Sequence, residues 1–182
     1  MSRSNVLFLL SGSIACYKAC TVISRLVQAG VAVQTVATPA ALKFVGTATL
    51  EGLSGRPVFS DLFEAGRALD HIELARAADL ALACPATANT INRLAAGLAD
   101  DPVGALFLAW ELKEKPWWVA PAMNVKMWEH PATAASLEKL RGWGVRVIAP
   151  DAGALACGEI GAGRLAEPEH VAAEVLGALE RK

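Results

Sequence analysis

Short apolar runs recur along this chain, and each stops abruptly at a turn that leads into a stretch of helical periodicity. No other feature of the sequence constrains the fold as strongly. The runs are Asn5–Leu10 and residues 31–37, 79–84, 117–120 and 145–149. Runs of this length bounded by Gly, Pro or Ser read as buried strands. Between them, apolar spacing predicts helices over residues 14–29 with Gly30 as the stop, 38–44, 71–77, 88–97, 102–112 and 131–141. A closing helix is expected over 167–179, with Pro168 in its first turn. Residues 50–63, broken by Gly52, Gly55 and Pro57, read as irregular, and Gly153, Gly158, Gly161 and Gly163 mark a glycine-rich loop. Strands separated by helices imply a parallel sheet covered on both faces. The expected fold is α/β: a Rossmann-like, flavodoxin-like open parallel sheet in three layers, one domain over residues 1–182.

Composition narrows the function classes. Apolar residues make up 54% of 182, far too many for a disordered chain. A formal net charge of −1 provides no basic field for nucleic acid. No apolar stretch approaches the roughly 20 residues that span a bilayer, and Met1–Ser4 does not lead into a secretory leader. Cys16, Cys20, Cys84 and Cys157 are scattered and lack Cys-x-x-Cys spacing, which argues against zinc. A soluble, reduced, cytoplasmic protein is expected.

Ligands of parallel sheets bind beyond the carboxyl ends of the strands, so the turns there carry the functional information. After the first strand comes Ser11-Gly12-Ser13-Ile14-Ala15. Gly12 allows close backbone approach, and Ser13 is placed to cap the next helix and to meet a phosphate at its N-terminus. Neither the dinucleotide glycine pattern nor the triphosphate loop is present, so a mononucleotide phosphate is the functional reading. An ordinary strand-to-helix turn explains the same residues equally well. After the third strand, Thr87, Asn89 and Thr90 gather three polar groups where one N-cap would suffice. After the fourth comes Pro121-Ala122-Met123-Asn124-Val125-Lys126-Met127-Trp128. Asn124 both donates and accepts hydrogen bonds, a pattern that suits recognition of a small polar substrate more than packing.

The histidines, cysteines and tryptophans offer further candidates. His71 opens a short helix and carries an imidazole, a side chain suited to general-base work, although a lone histidine is more often structural; His130 and His170 read as surface residues. Cys157, in Ala156-Cys157-Gly158-Glu159, is the best candidate for a reactive thiol, against an incidental cysteine in a surface loop. Cys16, Cys20 and Cys84 read as core. Trp110, Trp117 and Trp143 read as core or subunit contacts rather than a stacking surface.

Taken together, these motifs resemble the homo-oligomeric flavin-containing cysteine decarboxylases. Four blocks match in order: Ser11 to Ala15, His71-Ile72-x-Leu74-Ala75, Pro85 to Thr90, and Pro121 to Trp128. A fifth, Ala156 to Glu159, looks like the substrate clamp of the branch that acts on 4'-phosphopantothenoylcysteine. Thr87 stands where serine is common and Glu159 where aspartate is usual; hydroxyl and charge are kept. The resemblance implies FMN, held by Gly12, Ser13, Ile14, Thr38, Thr87, Ala88, Asn89, Thr90 and Ala122. It implies FMN-dependent decarboxylation of 4'-phosphopantothenoylcysteine to 4'-phosphopantetheine in coenzyme A biosynthesis, through thioaldehyde and enethiolate intermediates. His71 is then the base, Asn124 holds the carboxylate and Cys157 is the proton donor, with Met127, Cys157 and Gly158 also facing substrate. Implied partners are copies of the same chain, as trimers or dodecamers built from trimers, and a phosphopantothenoylcysteine synthetase, separate or fused. The alternatives are a flavin-dependent peptidyl-cysteine decarboxylase, a non-enzymatic flavin-binding phosphatase regulator, and the flavin prenyltransferase branch, which lacks the Pro-Ala-Met-Asn and Cys-clamp pair.

Overall fold

The structure, a computed structural model, describes residues 4–154 and 158–181. Five parallel strands form its central sheet: β1 (Asn5–Leu10), β2 (Ala32–Ala37), β3 (Leu80–Ala86), β4 (Trp117–Pro121) and β5 (Arg146–Val147). Their order is β2-β1-β3-β4-β5. Among the described residues eight α-helices accompany them: α1 (Cys16–Gln28), α2 (Thr47–Ser54), α3 (Asp70–Ala77), α4 (Ala88–Ala96), α5 (Pro102–Leu108), α6 (Val125–Trp128), α7 (Pro131–Gly142) and α8 (Pro168–Leu179). The predicted three-layer α/β architecture is the one observed.

The layers follow from the period-2 alternation of strand side chains. Val6, Phe8 and Leu10 of β1, Leu80, Leu82 and Cys84 of β3, and Trp118 and Ala120 of β4 face one way. They pack on Val22, Ile23 and Leu26 of α1, Leu50 of α2, and Val171 and Val175 of α8. The intervening residues Leu7, Leu9, Ala81, Ala83, Trp117 and Val119 face the other side. They meet Ile91 and Leu94 of α4, Leu106 and Phe107 of α5, and Leu137 and Leu140 of α7. Because both faces are buried, the strands read as continuous apolar runs rather than alternating ones. Trp117 is the largest fully buried side chain, with ring centroids 5.0 Å from Phe107 and 5.6 Å from Trp110, both edge to face.

Local structure departs from the sequence reading in several places. The helix expected from residue 14 begins at Cys16, because Ser13 to Ala15 close a turn first: the Ser13 carbonyl accepts from Cys16 N–H at 3.0 Å and Ser13 Oγ from Ala15 N–H at 3.2 Å. Ser13 therefore does not cap α1, whose N-cap is Ala15 with no side-chain bond. The helix expected over 38–44 is only a 3₁₀ turn, Ala41–Lys43. Part of the segment read as irregular is α2, whose Leu50 is wholly buried and anchors it. Pro85 does not end β3 but lies within it, at a register shift in the β3–β4 pairing where a missing N–H is tolerated. The helix expected to reach residue 112 stops at Leu108, and the strand expected over 145–149 narrows to two residues. The glycine-rich loop is an antiparallel hairpin, β6 (Asp151–Ala154) with β7 (Ile160–Arg164). Among the described residues, no helix is long and apolar enough to cross a membrane and no group of three metal-ligating side chains converges.

Trp117→Ala should lower the unfolding free energy by about 3–5 kcal/mol, the range for emptying a large aromatic site. Urea titration with an unchanged slope would register this as loss of packing rather than a change in the unfolded chain.

Candidate functional site

The chain runs from β1 outward to β2, then crosses back to place β3 on the other side of β1. That reversal opens a crevice at the carboxyl ends of β1 and β3, where parallel sheets bind ligands. Ser11 spans it. Its N–H and its hydroxyl both donate to the Pro85 carbonyl, at 3.3 and 2.7 Å, and its Oγ accepts from Thr87 N–H at 3.0 Å. Thr87 in turn N-caps α4, with Thr90 N–H 3.3 Å from its Oγ1. Thr38 N–H donates to the Leu10 carbonyl and Ala122 N–H to the Ala86 carbonyl, each at 3.0 Å. Four strand ends thus bring the turns at Ser11 to Ser13, Thr38, Thr87 and Ala122 to one edge.

The cleft above this edge encloses about 360 Å³. Ser13, Ile14, Ala122 and Asn124, all expected site residues, line it. Tyr17, Lys18 and Arg164 line it too, and sequence reasoning did not assign them. The one signal for Lys18 was a cation in the otherwise uncharged first turn of α1. For Arg164 there was none, because its approach depends on the hairpin.

The turn geometry explains the small residues. A Cβ on Gly12 would sit 2.7 Å from Ala40 Cβ, so the close approach Gly12 permits is to the chain after β2. Thr38 is buried and its Oγ1 accepts from Ala41 N–H at 3.1 Å. Ala88 and Thr90 are also buried, whereas Asn89 is exposed. Thr87 and Thr90 thus serve first as a cap and its partner.

Asn124 has a structural task as well. It N-caps α6, its Oδ1 accepting from Met127 N–H at 2.8 Å. Packing therefore does ask for this side chain, contrary to the sequence expectation. With the oxygen committed, the two amide hydrogens are what it offers a ligand. The hairpin docks beside it: Met123 N–H donates to the Gly163 carbonyl at 2.9 Å. Gly163 has φ +122°, and a Cβ there would lie 2.4 Å from the Met123 carbonyl oxygen. The glycine-rich segment thus reaches the cleft. Gly158 is exposed near the hairpin's end, and Cys157 lies outside the described residues. Met127 is 45% exposed on α6 and does not line the cleft.

The two cations of the cleft share one carboxylate. Lys18 Nζ lies 3.2 and 3.3 Å from the two Glu167 carboxylate oxygens, and Arg164 Nη2 lies 2.9 Å from one of them. Glu167 N–H is itself held by Asp151 Oδ2 at 3.1 Å.

His71 is elsewhere. It lines a second cleft, of about 560 Å³, with Leu62, Phe63, Ile72 and Leu108. Within one chain it does not meet Asn124. His130 and His170 are exposed, as expected, and His130 caps α7. Cys16 and Cys84 are fully buried and Cys20 partly so. Burial raises the pKa of all three, most strongly for Cys84, which also faces Cys16. They are core thiols. Trp110 and Trp117 are core residues, and Trp143 is half exposed.

A family model described as Flavoprotein matches residues 1–180. The coenzyme A biosynthesis bifunctional protein CoaBC of Bacillus subtilis (strain 168) is 44% identical over 173 residues, covering 94% of this chain but 42% of that protein. The chain thus spans less than half the length of the first curated relatives it matches. A probable phosphopantothenoylcysteine decarboxylase of Streptococcus mutans is 41% identical over 168 residues, covering 91% of this chain and 93% of that one. Among solved structures, a PPC decarboxylase mutant complexed with pantothenoylaminoethenethiol superimposes with a TM-score of 0.89 at 32% identity, over 98% of this chain and all of that one. The FMN binding protein AtHal3 gives 0.88 at 32%, over 100% and 99%.

Two outcomes are expected. Gly163→Ala should cost about 1–3 kcal/mol in urea unfolding, because φ and contact are both wrong for a side chain, and should open the hairpin to limited proteolysis. In the native state, Cys16 and Cys84 should resist iodoacetamide at pH 8, read by mass spectrometry, because a raised pKa leaves little thiolate. The same shift favours the neutral thiol in the fold, so that part of the stability is present below the ordinary thiol range and is lost as pH rises through and above it.

Proposed function

The chain belongs to the Flavoprotein family, and from that premise we propose that it binds FMN and decarboxylates 4'-phosphopantothenoylcysteine to 4'-phosphopantetheine in coenzyme A biosynthesis. The observation that carries this reading is Asn124, whose carbonyl is locked by capping α6 so that its amide hydrogens remain for a carboxylate, in the same cleft as the Ser11 to Ser13 turn.

The cleft suits a mononucleotide flavin. The N-terminal end of α1 has no side-chain cap and no acidic residue in its first turn, which favours a phosphate. Ile14 and Tyr17, 60% and 66% exposed, leave apolar surface bare along the wall, as a planar ring requires. Ser13 and Ile14 with Gly12 would hold the phosphate end. Thr38, Thr87 and Asn89 would meet the polar chain, Ala88 and Thr90 would back them, and Ala122 would lie against the ring. When bound, FMN supplies a reversible two-electron sink, so the substrate can pass through a thioaldehyde, lose carbon dioxide as an enethiolate, and be reduced again.

The side chains fit the demands of that reaction. Asn124 orients the carboxylate with a neutral donor. A cation there would stabilise the carboxylate more than the transition state in which its charge departs. Lys18 and Arg164 are kept from that role by their bonds to Glu167. His71 takes the proton released in the oxidation and Cys157 returns one to the enethiolate; Gly158 and Met127, which do not line the cleft of one chain, would meet substrate only in an assembly. His71 belongs to a separate cleft rimmed by exposed Phe63 and Leu108. We therefore assign the complete site to an assembly of copies, trimers or dodecamers of trimers, in which His71 of one copy serves Asn124 of another. The synthetase that makes the substrate, fused or separate, is the natural partner, and the cytoplasm the natural location. A decarboxylase of peptides ending in cysteine would use the same side chains, and a phosphatase regulator would bind FMN without turnover.

The purified chain should be yellow with FMN absorbance and should release carbon dioxide from 4'-phosphopantothenoylcysteine faster than from a peptide ending in cysteine; the reverse preference would favour the peptide reading. His71→Asn and Asn124→Ala should each lose activity by at least about 100-fold. If the site is shared between copies, mixing and reassembling these two inactive variants should restore part of the activity. No recovery at all would place both residues in one copy's site.

A further inference from the structure

We infer that Arg67 is the positioning residue for the His71 imidazole, an inference that rests on the proposed role of His71. His71 is the second residue of α3, and isolated helices shorter than about 12–15 residues are marginal in water. The N-cap residue of α3, Leu69, supplies no side-chain bond, and residues 60–69 before it contain no strand or α-helix. The far end of α3 is pinned by Lys115, whose Nζ donates to the Ala75 carbonyl at 2.5 Å. The end that carries His71 needs another anchor.

Arg67 supplies it with one planar fork. Its Nε donates to Asp70 Oδ2 at 2.6 Å, on the residue immediately before His71. Its Nη1 donates to Glu64 Oε2 at 2.9 Å and to the Val58 carbonyl at 3.4 Å. The guanidinium also lies over the Phe59 ring, 5.3 Å from its centroid. Phe59 is fully buried and tied to the edge of the sheet: its N–H donates to the Thr35 carbonyl and its carbonyl accepts from Ala37 N–H, both at 3.0 Å. A continuous line of contacts therefore runs from β2 through Phe59 and Arg67 to the first turn of α3. A lysine cannot make these contacts together, because a point charge lacks the fork. Neither Arg67 nor Asp70 lines the cleft that contains Asn124.

The test is a double-mutant cycle on the FMN-loaded chain. Arg67→Met should lower kcat and the rate of flavin reduction about ten- to a hundredfold, the scale of a misplacement of about 1 Å. KM and FMN content should stay at wild-type values, and Arg67→Lys should recover only part of the rate. Amide hydrogen exchange over residues 70–77 should quicken. Added to His71→Asn, in single-turnover carbon dioxide release, Arg67→Met should cost less than about twofold, because residues that act as a unit are non-additive. Asp70→Ala, which frees only the α3 end of the fork, should behave in the same way and carries the test if Arg67→Met does not fold. Unchanged kcat in these variants, a loss that tracks FMN content, or a loss that multiplies in full onto that of His71→Asn would overturn the proposal. A fully active His71→Asn chain would instead overturn the base role itself, and the two failures are distinct measurements.

Discussion

Ser11 joins the two halves of the sheet at the point where its strand order reverses, and the rest of the site is hung from that joint. Its hydroxyl is donor to Pro85 and acceptor from Thr87 at once. A hydroxyl is the smallest side-chain group that serves both purposes in a space where it is 3% exposed. Losing it would leave the Pro85 carbonyl with only the longer bond from Ser11 N–H and the part-buried Thr87 N–H without its partner, and an unsatisfied group of that kind costs about 1–3 kcal/mol. The same joint fixes where α4 starts, and the next ladder bond, from Ala122 to Ala86, carries the constraint on to β4. From there Met123 receives the hairpin and Asn124 begins α6.

The cleft is built largely of groups already satisfied within the protein. Ser13, Thr38, Thr87 and Asn124 each hold a turn or a helix end, and Gly12 exists to pass Ala40. That economy has a consequence for function. A side chain pinned by a cap keeps its rotamer without a ligand, so the remaining donor is aimed before substrate arrives and no ordering cost is met on binding. The pairing of Lys18 and Arg164 with one carboxylate follows the same logic, holding both cations in place without a ligand.

Much of this was legible in the sequence, and for a physical reason. Strands buried on both faces must be apolar throughout, so Asn5–Leu10 and its counterparts announced a covered parallel sheet, and turn residues after each run marked its carboxyl edge. The motifs at those turns carried the family. What misled was local. Residues 38–44 have helical composition but make a single 3₁₀ turn, and α2 hid in a stretch punctuated by glycine and proline because one buried leucine outweighs weak propensity. Pro85 looked like a stop, yet a register shift lets it stay inside β3. The glycine-rich segment read as a loop because strands this short and this rich in glycine carry little β signal.

The sequence by itself determined the layers, the strand edge where the polar turns gather, and Ser13, Asn124 and His71 as candidate side chains, because periodicity and turn chemistry act within a few residues. Only the tertiary structure decided that Asn124 spends its oxygen on a cap, that Arg164 reaches the cleft on a hairpin docked at Met123, that Glu167 quiets two cations from different elements, and that His71 faces a cleft apart from Asn124. The cap is a bond to a residue three positions on and depends on where α6 starts; the others depend on contacts between elements distant in the chain, which are set by how faces pack rather than by any local pattern.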